Sequence, residues 1–280
     1  MSNSILKALT DTAKSRADID PSHFIVRALW KNQYVMQISP GESLFNLHYL
    51  IVQTENQGSC YFGGDIIINE DMIGQNLLQF PVTDESIMIA YLDAVFAAII
   101  GRPDRETVID GSNILKADLR AKIVCDEVLE VLKQKTPKNG DKHTVVNVGT
   151  VAGFLSILSK NENINMKACD FYPKIVGKTI HGVLIENGTN PGSSIVGDHT
   201  LELIGSSDLA LVTGMTLATN TLNDIIKTAQ ENNTALIVFA ETGANFAEEY
   251  CKMGVDSVIS EPHPYYMICD GPTKIKIYRK

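Results

Sequence analysis

From residue 143 onward, short apolar runs alternate with stretches of helical periodicity, and this rhythm leaves few architectures open. Its clearest unit is 208–223, D-L-A-L-V-T-G-M-T-L-A-T-N-T-L-N. The run Leu209, Ala210, Leu211, Val212 has the composition of a buried parallel strand. It breaks at Thr213 and Gly214, after which Leu222, Ile225, Ile226 and Ala229 recur on one helical face, with Thr219 or Asn220 as the expected N-cap. Further strands are expected at 143–148, 166–169, within 178–186, at 235–240 and at 255–259, with helices ending near 158 and over 198–204 and 245–253. Residues 273–278 alternate like an antiparallel edge strand. Alternating strands and helices predict a Rossmann-like α/β domain, an open and mostly parallel sheet covered on both faces.

The first half follows another pattern. A short helix is expected over 5–13, strands over 24–30 and 34–38 about a turn at Lys31-Asn32-Gln33, and a third strand over 47–53. Helices are expected over 71–78, over 83–100 with Thr83 or Asp84 as cap, and over 115–133. Strands followed by helices predict an α+β domain. The polar segment 136–142, T-P-K-N-G-D-K, marks the expected boundary between a first domain, 1–138, and a second, 139–280. Asp93 stands out because its helix is otherwise apolar nearly all round, so its carboxylate must be paired, protonated or turned toward a cleft.

Net charge is −9, with the acidity spread over both halves and no basic stripe, which argues against nucleic acid and anionic membrane as partners. The five cysteines are scattered and include no C-x-x-C pair, so reduced thiols in a cytoplasmic protein are expected. The most apolar segment, 87–100, is too short to span a bilayer and contains Asp93. The expected partner is a small-molecule ligand, with homo-oligomerisation left open.

Ligands of open α/β sheets sit at the carboxyl ends of the strands. Four polar or glycine-bearing loops fall there: Gly149-Thr150-Val151-Ala152-Gly153, Asp170-Phe171-Tyr172-Pro173, 213–220, and Glu241-Thr242-Gly243-Ala244-Asn245. Asp170 lies about 20 residues beyond Gly149, the separation expected between a glycine turn and a ribose-binding acid. The loop reads N-V-G-T-V-A-G, however, and lacks the central glycine of a dinucleotide fingerprint. An NAD(P) or S-adenosylmethionine enzyme using Gly149, Gly153 and Asp170 is therefore an alternative reading. No histidine pair has zinc spacing, and E-P-H-P at 261–264 could present Glu261 and His263.

D-L-A-L-V-T-G-M-T-L-A-T-N-T-L resembles the D-x-(apolar)-T-G-(S/T)-x-x-x-N-x-T core of the bacterial and archaeal heavy-metal chelation family. S-I-M-I-A-Y-L-D-A-V, 86–95, resembles a helix of that family's first domain. The resemblance implies an enolase-N-terminal-like domain followed by a Rossmann-like one. It also implies a site in the cleft between them, serving metal chelation or the making of a metal-binding small molecule. On this reading Thr213, Gly214, Thr216, Asn220 and Thr242 hold polar groups of a ligand. Asp93, Asp170 and Glu241 hold a divalent metal or a cationic group, with Asp93 and Glu241 as acid and base. Asp93 replaces the family's usual Asn, and Glu241 stands in a loop that the family builds as G-P-S-x-P, so both departures add a carboxylate and suggest a cationic ligand. A metal or metallophore carrier without catalysis is the remaining alternative.

Overall fold

The computed structural model describes residues 4–37, 44–138, 140–262 and 271–280. Helix α1, Ser4–Ser15, turns Ile5, Leu6, Leu9 and Ala13 inward. Strands β1 (Ala28–Gln37), β2 (Leu44–Gln53) and β3 (Gln57–Tyr61) form an antiparallel sheet in that order. Helix α2, Glu85–Phe96, starts where Asp84 accepts hydrogen bonds from the amides of Ser86 and Ile87, and it packs on β2 and β3. Strand β4 (Arg105–Ile109) and helix α3 (Asn113–Leu132) follow. The second half then runs β5 (His143–Val148), α4 (Ala152–Leu158), β6 (Ile164–Asp170), β7 (Thr179–Ile180), β8 (Val183–Asn187) and α5 (Asp198–Ser206). It continues through β9 (Leu209–Thr213), α6 (Met215–Ala218), α7 (Leu222–Glu231), β10 (Ala235–Ala240), α8 (Ala247–Met253), β11 (Ser257–Ser260) and β12 (Thr273–Arg279).

These strands make one large sheet in the order β4-β12-β11-β10-β9-β5-β6-β8-β7. From β8 to β11 every pairing is parallel, and the apolar runs of β9 and β10 are buried throughout, as a sheet covered on both faces requires. Helices α3 and α4 cover one face, and α5 and α7 cover the other. The fold is thus α/β, with a large, mostly parallel sheet and a small antiparallel one. Strand order reverses between β5 and β9: the chain steps outward from β5 through β6 to β8, then returns to β5's other side. The loops after β5 and β9 diverge there and leave a crevice.

Several local expectations change. Lys31-Asn32-Gln33 is not a turn but the middle of β1, paired with Leu50, Tyr49 and His48. Polar residues on the half-exposed face of a ladder mimic a break when read alone. Ile38, the expected strand end, lies outside the described residues, as does Asn139 in the expected linker. In place of the expected helix 71–78 a single 3₁₀ turn forms, Glu70–Met72, and it ends where Ile73 becomes extended and Gly74 follows at φ +81°. Strand β12 is antiparallel as expected, but β4 forms the edge beside it. Both β4 and α3 precede residue 138 and yet sit on the large sheet, so the change of sheet falls well before the polar linker. Among the described residues no helix is long and apolar enough to cross a membrane.

A glycine controls the packing of α2 on the small sheet. A Cβ on Gly58 would lie 2.2 Å from both the Ala90 carbonyl oxygen and the Ala94 amide nitrogen. The backbones of β3 and α2 are in direct contact at this point.

Candidate functional site

The crevice opens into a cavity of about 560 Å³, within the roughly 300–1,000 Å³ typical of small-molecule sites. All four expected loops contribute to its wall, including Gly149, Thr150, Gly153, Asp170, Thr213, Gly214, Thr216, Glu241 and Thr242. Leu47, Tyr49 and Tyr61 close it from the small sheet, and Arg120 of α3 from the side.

Buried polar residues shape the loop after β5. Asn147, one residue before the end of β5, accepts the Val151 amide at 3.0 Å and donates to the Leu211 carbonyl at 3.1 Å. Asp170 accepts the Thr150 amide at 2.7 Å and the Tyr172 amide at 2.8 Å, which ties the first two loops together. Burial raises its carboxyl above the ordinary value, although these amides favour the charged form. Gly149 has φ +76°, and a Cβ there would meet the Thr213 hydroxyl at 2.3 Å. This glycine therefore serves packing between the β5 and β9 loops. Gly149→Ala is expected to cost about 1–3 kcal/mol from backbone strain and overpacking, measurable by urea denaturation.

The loop after β9 packs as closely on the loop after β10. A Cβ on Gly214 would lie 2.4 Å from the Thr242 carbonyl oxygen. The Thr216 hydroxyl is used within its own loop, donating to the Thr213 carbonyl at 2.8 Å. In contrast, the hydroxyl of Thr213 is buried and has no partner among the described residues, although its side chain lines the cavity, while the Thr150 hydroxyl faces the Asp170 carboxylate and favours its charged form. Each residue is 8% exposed.

Glu241 sits at the seam between the sheets. Its carboxylate accepts the Tyr49 hydroxyl at 3.2 Å, its carbonyl accepts the Ser59 hydroxyl at 2.9 Å, and the adjacent Thr242 hydroxyl accepts the Tyr61 amide at 2.9 Å. Burial, reinforced by the Glu261 carboxylate, pushes Glu241 up to about 7, against the opposing pull of Arg120 and the Tyr49 hydroxyl. Arg120 itself is engaged by Glu261, which also accepts the Thr273 hydroxyl at 2.9 Å. Glu261 is thus an internal counter-ion rather than a presented ligand, and His263 lies outside the described residues.

Two expected site residues lie elsewhere. Asp93 is 2% exposed and does not line the cavity. Its carboxylate accepts the Ser59 amide at 2.9 Å and the Asn245 amide at 2.8 Å, and its carbonyl accepts the Asn245 side-chain amide at 3.0 Å. It joins α2, β3 and the β10 loop. Asn220 is exposed, with φ +56°, and turns the chain between α6 and α7 without capping α7. The expected metal set of Asp93, Asp170 and Glu241 is therefore not brought together. Among the described residues no three His, Cys, Asp or Glu side chains are grouped to hold a metal ion. Tyr49, Tyr61 and Arg120 were not anticipated. Arg120 did leave a trace, since Lys116, Arg120 and Val124 fall one helical turn apart on what proves to be the buried face of α3.

No known sequence family matches the chain, and no curated protein does. In fold it is similar to a protein of unknown function from the DUF364 family of Desulfitobacterium hafniense, with TM-score 0.53 and 10% identity over 96% of this chain and 98% of that one. A DUF364 protein of unknown function from Pyrococcus horikoshii gives TM-score 0.50 and 10% identity, over 99% of this chain and 100% of that one. A mandelate racemase/muconate lactonizing protein from Herpetosiphon aurantiacus reaches only TM-score 0.36, too low to carry an argument. At such identities the likeness is one of fold: this chain is built like the DUF364 proteins of unknown function.

Proposed function

We propose that the chain binds a small polar metabolite in this cavity, with Glu241 available to exchange protons with it or to hold a cationic group and Asp170, engaged by backbone amides, adding acidic character to the wall. The unpartnered hydroxyl of Thr213, in a cavity whose wall also carries Thr150, Asp170 and Glu241, carries the proposal. A buried hydroxyl without a hydrogen bond costs about 1–3 kcal/mol. One at the point where strand order reverses fits a site whose polar partner arrives with the ligand. In this reading the small sheet, with α1 and α2, is an enolase-N-terminal-like domain that caps a Rossmann-like one in a cytoplasmic protein. A link to metal chelation would run through the metabolite, made or merely carried here as a metal-binding small molecule.

The nucleotide-cofactor alternative keeps one observation in its favour: Asp170 ends the strand next to β5, where a ribose-binding acid is expected. Against it, Gly149 is occupied by Thr213, and both Asp170 oxygens already accept backbone amides.

A thermal-shift screen of metabolites, including NAD(P) and S-adenosylmethionine, separates the two readings, because a ligand of the folded state raises the melting temperature. Thr213→Val is expected to fold with stability unchanged or raised by up to about 1 kcal/mol, and Thr150→Val to lose about 1 kcal/mol with its bond to Asp170, while each weakens the hit by about tenfold. Unchanged affinity in both variants would remove the cavity from consideration.

A further inference from the structure

With Asp93 outside the site, the charge of the cavity depends on fewer groups than its sequence suggests. Among the described residues its wall carries three charged side chains, Arg120, Asp170 and Glu241. Arg120 is already matched by the buried Glu261. Lys116, one turn earlier on α3, is fully buried outside the wall and donates to the Gly271 carbonyl at 2.8 Å. The balance facing the interior of the cavity is therefore acidic.

The acid at the seam borders aromatic rings. Tyr49, whose hydroxyl reaches Glu241, meets Tyr61 edge to face, with ring centres 6.2 Å apart and planes at 75°. Tyr34 meets Tyr49 in the same manner at 6.0 Å. Phe154, Phe171, Tyr172 and Phe239 supply further ring surface to the wall. Tyr49 is 1% exposed and serves to position the carboxylate, whereas Tyr61, Phe171 and Tyr172 are partly exposed in the wall. A carboxylate beside such rings suits an organic cation, which gains from the charge and from aromatic contact together.

We infer that the ligand is a protonated amine on an aromatic or apolar body, its ammonium group seated on the cavity side of the Glu241 carboxylate, beside the partly exposed Tyr61. This rests on the reading of the cavity as a small-molecule site. The Thr150 and Thr213 hydroxyls then accept hydrogen bonds from the ammonium group or pair with a polar substituent. An anionic ligand would meet Glu241 and Asp170 with Arg120 already engaged. A bare divalent ion would find no three grouped ligands among the described residues.

The pH dependence of binding follows. Glu241 faces Tyr34 and Tyr49 from the small sheet, Arg120 from α3 and Glu261 from beyond β11, and no described histidine lines the cavity. With Glu241 raised to about 7, the empty site holds a proton at mildly acidic pH. An ammonium ligand requires the carboxylate, so its binding expels that proton. Affinity then rises about tenfold per pH unit below this value and levels off above it. The amine stays charged throughout, as its own pKa is near that of lysine, about 10.

The test is calorimetric titration of the full chain, from about pH 5.5 to about pH 8.5, with benzylamine, phenethylamine and phenylpropylamine, each beside its alcohol isostere. At least one amine is expected to bind about tenfold more tightly than its alcohol at the alkaline end, with the rising profile just described. Glu241→Gln should abolish both the preference and the slope. Tyr49→Phe removes a donor to the carboxylate and should move the midpoint of the profile upward. No binding by any amine, equal binding of amine and alcohol, or affinity that falls with pH overturns the inference. Neutral and acidic compounds titrated in parallel separate it from the reading beneath. If one of these binds instead and loses affinity in Thr150→Val and Thr213→Val, the site stands and its charge assignment falls. If no compound of any charge binds, both fall.

Discussion

Gly58→Ala should lower the stability of the whole chain by about 3 kcal/mol, a large effect for one methyl group. The methyl would meet the Ala90 carbonyl oxygen and the Ala94 amide nitrogen at 2.2 Å and the Asp93 carbonyl carbon at 2.7 Å. Each of these is helix backbone, so no side chain can rotate away and α2 must lift from β3. Lifting α2 would also stretch the bonds from Asp93 to Ser59 and Asn245, which hold β3 against the β10 loop. Tyr61 and Glu241 lie on the two sides of that seam, so ligand binding should weaken along with stability. Urea denaturation measures the first effect. A loss below about 1 kcal/mol would mean that α2 can shift along the sheet without cost.

Asp93→Asn should change the pH dependence of stability and leave ligand affinity nearly untouched. Burial pushes Asp93 up to about 7, despite hydrogen bonds from Ser59 and Asn245 that favour its charged form. The folded chain therefore holds this proton more tightly than the unfolded chain, whose aspartate has the ordinary value of 3.8. For a carboxyl raised on folding, stability is fully present below the unfolded pKa and is lost as pH climbs through the folded one. The loss between about pH 4 and pH 7 is on the order of 4 kcal/mol for this group, and Glu241 changes in the same direction. Asparagine cannot ionise, so the variant lacks the contribution of Asp93 to that slope. Its amide offers one acceptor where the carboxyl offers two, so the Ser59 or the Asn245 amide is left facing a donor. That costs about 1–3 kcal/mol. The variant should be the less stable protein at pH 5 and should equal or surpass the wild type by about pH 8. Guanidinium titrations at the two pH values read the crossing. Parallel curves would show that Asp93 keeps one protonation state throughout.

The parallel sheet was legible because its cause is local. A strand buried on both faces must be apolar at every position, and 209–212 and 235–240 meet that demand without reference to any partner. The loops at the carboxyl ends of these strands follow from the alternation, so Gly149, Asp170, Thr213 and Glu241 could be placed at one edge in advance. Strands β3 and β4 could not. Q-G-S-C-Y and R-E-T-V-I are short and mixed in polarity, and each is a strand because a partner, β2 or β12, satisfies its backbone.

Side-chain direction around the site was beyond the reach of the sequence for a related reason. It marked Asp93 as a carboxylate in an apolar helix, a correct statement of burial that leaves open which neighbour answers it. Whether a ligand, a metal or two backbone amides from distant segments meet that carboxylate depends on contacts 34 and 152 residues away along the chain. Likewise, nothing near Glu241 announces its burial or the approach of Glu261, Arg120 and Tyr49, yet these together set its proton affinity. Local patterns determined which segments fold as strands and helices, since the covalent repeat of the chain sets those periods. Only tertiary packing decided which polar groups pair with each other and which, like the hydroxyl of Thr213, are left facing a cavity, because hydrogen bonding and desolvation depend on what lies within a few ångströms in space.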